Sequence, residues 1–248
     1  MKKKLSFLCV HFLLSLFIVI NAFAAETKTF DTKNLTDLSV KNIGGDVTIT
    51  SSNTGKATVT FTKIKFDERC ELFIDKIEQK LLVAVINKPG LFGFSGECIV
   101  NFDIAVPEKI DTSLKIGAGD INITKIEGNL AYKLGSGSLK AEGLFKKVSG
   151  SSGSGDVELK GLTGRATFKV GSGNLEITYK KIPEEGSFDV KAGSGNVNLY
   201  LPKGSEIQAD LKAGSGKISN EFAQSSKGKF NVSMRAGSGN LTINSHTD

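Results

Sequence analysis

From residue 111 onward, apolar and polar positions alternate in short runs, and glycines separate each run from the next. Leu114 and Ile116 alternate with polar neighbours, as do Ile121 and Ile123 beyond Gly117-Ala118-Gly119. This two-residue period predicts half-buried strands. Ile116 and Ile121 are five positions apart, an odd number, so one uninterrupted strand would point them to opposite faces. The chain must turn or bulge at the glycines. Glycine reaches positive φ without a side-chain clash, and Asp or Asn tolerates it best among the others. The position after the second glycine is Asp120, Ser138, Asp156, Asn174, Asn196, Lys217 and Asn240, mostly residues suited to a corner.

The Gly-x-Gly pairs begin at Gly117, Gly135, Gly153, Gly171, Gly193, Gly214 and Gly237, spaced by 18 residues three times and then by 22, 21 and 23. Apolar columns keep the 18-residue step, among them Ile121, Leu139, Val157 and Leu175, and also Ile126, Leu144 and Leu162. The repeating unit is therefore structural and not a flexible linker. Two short strands per corner bury too little alone, and stacking them builds a continuous core. The expected fold is all-β: a β-solenoid, or β-helix, rising about 4.8 Å per coil. An antiparallel sandwich or barrel is the alternative for short strands with frequent turns. The constant step favours the solenoid.

Residues 25–110 read as a β-rich N-terminal region without the step, carrying one related corner at Gly44-Gly45-Asp46. Residues 70–86 fit either a helical face through Phe73, Ile77, Leu81 and Val85 or two strands turning near Lys76 to Gln79. Ile74, Val83, Val85 and Ile86 favour strands. The solenoid is assigned to 111–248 and is expected to continue from the N-terminal region. Leu91, Phe92 and Phe94 read as the tip of a loop, either folded over a core edge or exposed as a contact. The extra residues of the longer coils, near Lys180, Leu201 and Ala223, all fall between a post-corner strand and the next pre-corner strand. Such insertions gather on one side and serve either as a recognition surface or as permissive loops. The polar C-terminal "NSHTD" reads as protection of one solenoid end.

Residues 1–24 have the form of a secretory signal peptide: Lys2, Lys3 and Lys4, an apolar run from Leu5 to Ile20, and Ala22-Phe23-Ala24 as a cleavage site. The run is shorter than the roughly 20 residues a spanning helix needs, which favours cleavage over an uncleaved anchor, and no later stretch is apolar enough to span. Losing the three lysines reduces the excess of basic over acidic residues from 6 to 3. The expected product is exported, to the periplasm or the cell surface, where disulfides persist. Cys70 and Cys98 are then candidates for a disulfide, the alternative being two thiols that never meet.

Beyond the leader, His246 is the single histidine, which removes Ser-His-Asp and Cys-His arrangements and the usual zinc sites. The Gly-x-Gly corners lack the third glycine and the helix of a dinucleotide site. Gly-Ser-Gly-Asp invites a calcium reading, but only Asp120 and Asp156 bring a carboxylate to that column, and a hard cation needs several oxygens. No cofactor and no metal site are expected. The enzyme alternative is a carbohydrate-active β-helix, for which Glu158 and Glu176, one step apart, would be the carboxylate pair. Charged residues on a solvated strand face account for them equally.

Two residues before each corner stand Lys115, Lys133, Ser151, Lys169, Lys191, Lys212 and Arg235. All but Ser151 are basic, and parity turns them outward, so stacking would align them as a ladder. Like charges stacked in a column cost stability. One reading is a stripe for polyanions such as acidic glycans, lipopolysaccharide phosphates or nucleic acid, the other a solubility device that blocks edge pairing. Nucleic acid is not expected, because exposed aromatics do not interleave with the cations.

The stretch "NFDIAVPEKIDTSLKIGAGDINI", followed by "AGSGNVNL", "LKAGSGKI" and "RAGSGNLTI", resembles the exported β-strand-repeat family known as "putative adhesins". The resemblance implies a solenoid-like fold and a cell-envelope location, and it brings no catalytic residues. The function expected is non-enzymatic binding or structural work at the envelope, the alternatives being the carbohydrate-active enzyme and a periplasmic scaffold.

Overall fold

The computed structural model describes residues 24–88, 96–225 and 228–247. The leader through Phe23, and the loop-tip residues Leu91, Phe92 and Phe94, lie outside the described residues. The chain is an all-β solenoid. Its central coils are β8 (Asp111–Ala118), β9 (Ile121–Ser136), β10 (Leu139–Ser154) and β11 (Val157–Ser172), stacked in parallel. Lys115 pairs with Lys133, and Leu139 with both Ile121 and Val157, so one turn of 18 residues closes one coil. Ile116 and Ile121, on either side of a corner, are both buried, as the parity break requires. The two halves of each coil thus form two faces around a shared core.

The first face carries the strands that precede the corners. Its order is β5 (Cys70–Ile77), β6 (Lys80–Asn87), β2 (Asp37–Gly44), β8, the later halves of β9, β10 and β11, then β13 (Gly186–Ser194), β17 (Phe230–Ser238) and β15 (Ile207–Ser215). The second face carries the strands that follow the corners. It runs β1 (Glu26–Asp31), β4 (Lys56–Phe66), β7 (Cys98–Val106), β3 (Val47–Ser51), the first halves of β9, β10 and β11, then β12 (Leu175–Tyr179), β14 (Val197–Pro202), β18 (Leu241–His246) and β16 (Ile218–Asn220). Among the described residues, antiparallel pairs occur only toward the N-terminal end: β5 with β6, β4 with β7, and β1 with β4. Residues 70–87 form a strand pair, with Glu78 at φ 53° in the turn. Cys70 and Cys98 are joined, Cα atoms 5.7 Å apart, and tie β5 on the first face to β7 on the second.

The corners dictate the stacking. At Gly135 an added Cβ would collide with the carbonyl oxygen of Gly117 in the coil beneath, and Gly137, at φ 105°, would collide with that of Gly119. Only glycine lets adjacent corners approach to strand spacing. Where the next residue is Asp or Asn it locks one rung to its neighbour: Ser138 N–H donates to Asp120 Oδ1 at 2.8 Å, Asn174 N–H to Asp156 Oδ1 at 2.7 Å and Asn240 N–H to Asn196 Oδ1 at 3.1 Å. The side-chain oxygens of Asp120 and Asp156 are therefore engaged with backbone donors of the next coil.

Three features depart from the sequence-based expectation. First, in the column of Ile126 and Leu162 the buried side chain of β10 is Phe145, while Leu144 is half-exposed. A bulge between Glu142 and Phe145 shifts the register by one residue and brings the larger side chain inward. Second, the coils do not stack in chain order. The coil of β2 and β3 lies inside β6 and β7, and the coil of β17 and β18 lies between that of β13 and β14 and that of β15 and β16. The connections that pass the inserted coil are those from β14 to β15, after Leu201, and from β16 to β17, around Ala223; the one near Lys180 joins coils that stack in chain order. Third, the coil that ends in "NSHTD" is not the terminal one: β16 covers β18 over Leu241–Ile243, while Asn244, Ser245 and His246 pair with β14 alone.

The edge at that end is β15 and β16. There Gln224 imitates a strand, its Oε1 accepting from Ala209 N–H at 3.1 Å and its Nε2 donating to Ala209 O at 2.8 Å. At the opposite end Lys28 Nζ donates to Ile74 O of β5 at 3.3 Å. Side chains that occupy edge carbonyls and amides hinder edge-to-edge pairing.

Candidate binding face

Outward positions on the first face fall into rows, because the corner lock fixes each coil against the next. Lys115 pairs with Lys133, Lys133 with Ser151, Ser151 with Lys169, Lys169 with Lys191, Lys191 with Arg235 and Arg235 with Lys212. All six cations are exposed. At strand spacing they follow one another by about 4.8 Å, apart from the gap at Ser151. Chain order would place Lys212 beside Lys191; the inserted last coil puts Arg235 there instead and moves Lys212 to the end of the row.

The row extends beyond the residues the sequence pointed to. Lys41 pairs with Lys115 and is exposed. Its signal was present in the chain: Lys41 stands five residues before Asp46 of the related corner, as Lys115 stands five before Asp120. Past Lys41 the row runs through Ala84 to Phe73.

On one side of the cations lie the corner glycines, which have no side chains. On the other lies a row of mostly small residues, with Ser113, Ala131, Ser149 and Thr167 successively paired. A shallow cavity of about 310 Å³ opens over this small-residue row, bordered by Asp37, Asp111, Asn129 and Lys147. The cations therefore stand proud of their surroundings on an open strip. Among the described residues, the ion pairs within the row are those of Asp210, with Arg235 at 3.0 Å and with Lys212 at 3.4 Å, both at the far end.

The second face is built differently. Glu158 and Glu176 are cross-rung neighbours. Glu158 lies 2.7 Å from Lys160 Nζ and 3.4 Å from Lys140 Nζ. The hydrogen bond from Lys160 holds the Glu158 carboxyl below its ordinary range. A glycosidase acid needs the opposite, a carboxyl held protonated by a raised pKa. Glu158 is thus unsuited to that role. His246, at the end of β18, has Nε2 2.8 Å from Tyr179 O. Among the described residues, the His, Cys, Asp and Glu side chains close enough to share an ion are Asp67, Cys70 and Cys98, and the two cysteines are bonded to each other. No helix of the described residues is long and apolar enough to cross a membrane.

Among solved structures, a "putative adhesin" from Bacteroides fragilis is 14% identical with a TM-score of 0.52, the match covering 90% of this chain and 98% of that one. A "putative cell adhesion protein" from Clostridium sporogenes is 18% identical, TM-score 0.42, over 90% and 99% of the two chains. A "putative lipid binding protein" from Parabacteroides distasonis is 15% identical, TM-score 0.42, over 90% and 97%. At 14% identity the likeness to the Bacteroides fragilis structure is one of fold. No curated protein matches the chain. The family model described as Toastrack DUF4097 matches residues 29–248, which span the stacked coils from the first strand to the last, and the chain belongs to that family.

Proposed function

We propose that this is an exported, non-enzymatic binding protein of the cell envelope, whose first face holds a linear polyanion such as an acidic glycan along the row Lys41, Lys115, Lys133, Lys169, Lys191, Arg235 and Lys212. The observation that carries the reading is the alignment of these cations in one exposed row, in which, among the described residues, Lys41 to Lys191 form no ion pair and only Arg235 and Lys212 at the far end share Asp210. A fold that needed charge only for solubility would pair its charges across rungs, as the second face does. Aligned like charges at strand spacing repel, and a polymer with regularly spaced anions relieves that repulsion. The name of the solved structure from Bacteroides fragilis, a "putative adhesin", agrees with an adhesive role.

The test is binding of polygalacturonate by the chain and by K169Q/K191Q/K212Q, followed by fluorescence anisotropy across a salt series. The triple variant should bind about tenfold or more weakly at low salt and show a shallower salt dependence, since screening removes what the substitutions remove. Equal binding by the two proteins, or no binding by either, overturns the reading. Protease treatment of intact cells, with a periplasmic marker as leakage control, places the protein: digestion means the cell surface, protection means the periplasm.

A further inference from the structure

Four large apolar side chains are conspicuously exposed among the described residues: Phe73, Ile77, Ile86 and Ile218. The first three share the outer face of one hairpin. Outward positions of β5 are Glu71, Phe73, Asp75 and Ile77, and those of β6 are Lys80, Leu82, Ala84 and Ile86. Leu82 and Ala84 are half-buried between them. Phe73 is 42%, Ile77 50% and Ile86 39% exposed, so the hairpin presents an aliphatic and aromatic surface to solvent. A grouped apolar surface of this kind marks a contact site more often than scattered single residues do.

The patch is continuous with the cation row. Phe73 pairs with Ala84, Ala84 with Lys41 and Lys41 with Lys115, so one line of side chains passes from aromatic to cationic on the same face. Lys80 borders the patch beside Ile77. The acidic groups nearby are largely engaged. Glu71 is ion-paired with Lys88, Asp111 accepts from the backbone and side-chain N–H groups of Asn129, and Asp75 accepts from Lys76 N–H. Asp37 lies beside Lys80 in the register.

We infer that the β5–β6 hairpin face and the adjoining cations dock on an anionic lipid bilayer. This rests on the reading of the row as an anion-binding strip and names the surface that presents the anions. A soluble glycan satisfies the cations and leaves the aliphatic patch in water. A bilayer satisfies both, with headgroup phosphates along Lys41 and Lys115 and Phe73, Ile77 and Ile86 entering the interface. The register puts these groups on one face of the coil stack. Two copies joined patch to patch would set Lys41 and Lys80 of each against those of the other, which charge disfavours. Asp75 keeps the contact shallow.

The experiment uses the chain from Ala25 onward, which holds every strand described, so that the apolar leader does not itself insert. Co-sedimentation is measured with vesicles of phosphatidylcholine alone and of phosphatidylcholine mixed with phosphatidylglycerol. The chain should bind the mixed vesicles and not the neutral ones. F73S/I77S/I86S changes exposed positions only; it should lower vesicle affinity about tenfold and leave polygalacturonate binding unchanged. K169Q/K191Q/K212Q should weaken both. The chain contains no tryptophan, so F73W supplies a single reporter whose emission should shift to the blue on anionic vesicles and be quenched by brominated acyl chains. Unchanged vesicle binding by F73S/I77S/I86S, an unshifted F73W, or a patch-dependent dimer without vesicles overturns the inference. Retained polygalacturonate binding in those cases leaves the cation row standing, so the two readings fail separately.

Discussion

The two faces of the solenoid are made from the same coils, locked by the same corners, yet they handle charge in opposite ways. On the second face Lys140, Glu158 and Lys160 compensate one another within and across rungs. On the first face, among the described residues, Lys115, Lys133, Lys169 and Lys191 line up without an ion pair; Asp189 lies in the adjacent row, two residues before Lys191, and the ion pairs of the row are those of Asp210 at the far end. Since register is common to both faces, the difference resides entirely in which outward residues the chain places there. The fold supplies straight rows, and sequence decides whether a row is neutralised or left charged. A charged row persists because each exposed pair costs little, so the stability of the solenoid tolerates a feature that points to a partner.

The strongest way to break this comparison is to remove the register both faces share. G137A places a Cβ against the carbonyl of Gly119 at a position with φ 105°, and it should cost about 3 kcal/mol or more. G55A is the control: Gly55 also has positive φ, 71°, but nothing lies within 4 Å of its added Cβ, so the cost should be nearer 1 kcal/mol. Urea unfolding measures both. Equal losses would show that corner packing does not set the rungs, and the alignment of the cation row would then need another cause.

How much of this was legible in the chain follows from what is local. The alternation around Ile116 and Ile121, the glycine step and the outward parity of Lys169 or Lys191 are short-range patterns, and the structure places those residues as the patterns require. Phe145 was hidden because a one-residue bulge preserves the 18-residue step while moving the buried position. The order of the end coils was hidden for a different reason: any coil with a glycine corner and an Asx lock can stack on any other, so nothing in the local sequence distinguishes Arg235 from Lys212 as the neighbour of Lys191. Phe73 entered the row through an antiparallel hairpin that has no corner, which removes the column that would have aligned it.

A finer test compares the faces by sign. K169Q removes a charge that stands beside Lys191, with Ser151 on its other side, and should raise stability by about 0.5 kcal/mol at low ionic strength. K160Q removes the partner 2.7 Å from Glu158 and should lower stability by about 0.5 kcal/mol. Both effects should fade with added salt, because these charges are exposed. Thermal unfolding of the two variants across a salt series decides the matter. Changes of the same sign would mean that the first-face row is compensated after all.

Acid should erase the contrast, and the direction follows from Glu158. Its carboxyl is held below the ordinary value of 4.5, chiefly by the hydrogen bond from Lys160 and then by the charges of Lys160 and Lys140. A carboxyl depressed in the folded state contributes stability that is present above its unfolded pKa and lost as pH falls through the folded one. With Glu158 nearly a third exposed, at 31% of its side chain, the contribution is that of a surface pair, roughly 0.2–1 kcal/mol. The stability gap between the unmodified chain and E158Q should therefore be full at neutral pH and close as the pH drops below 4.5. Protonation leaves Lys140 and Lys160 without their partner, so the second face comes to resemble the first. K169Q has no such carboxyl to lose, and its gain should survive the same titration; if it closes in parallel with E158Q, the first-face cations are paired with acids and the two faces were never different in kind.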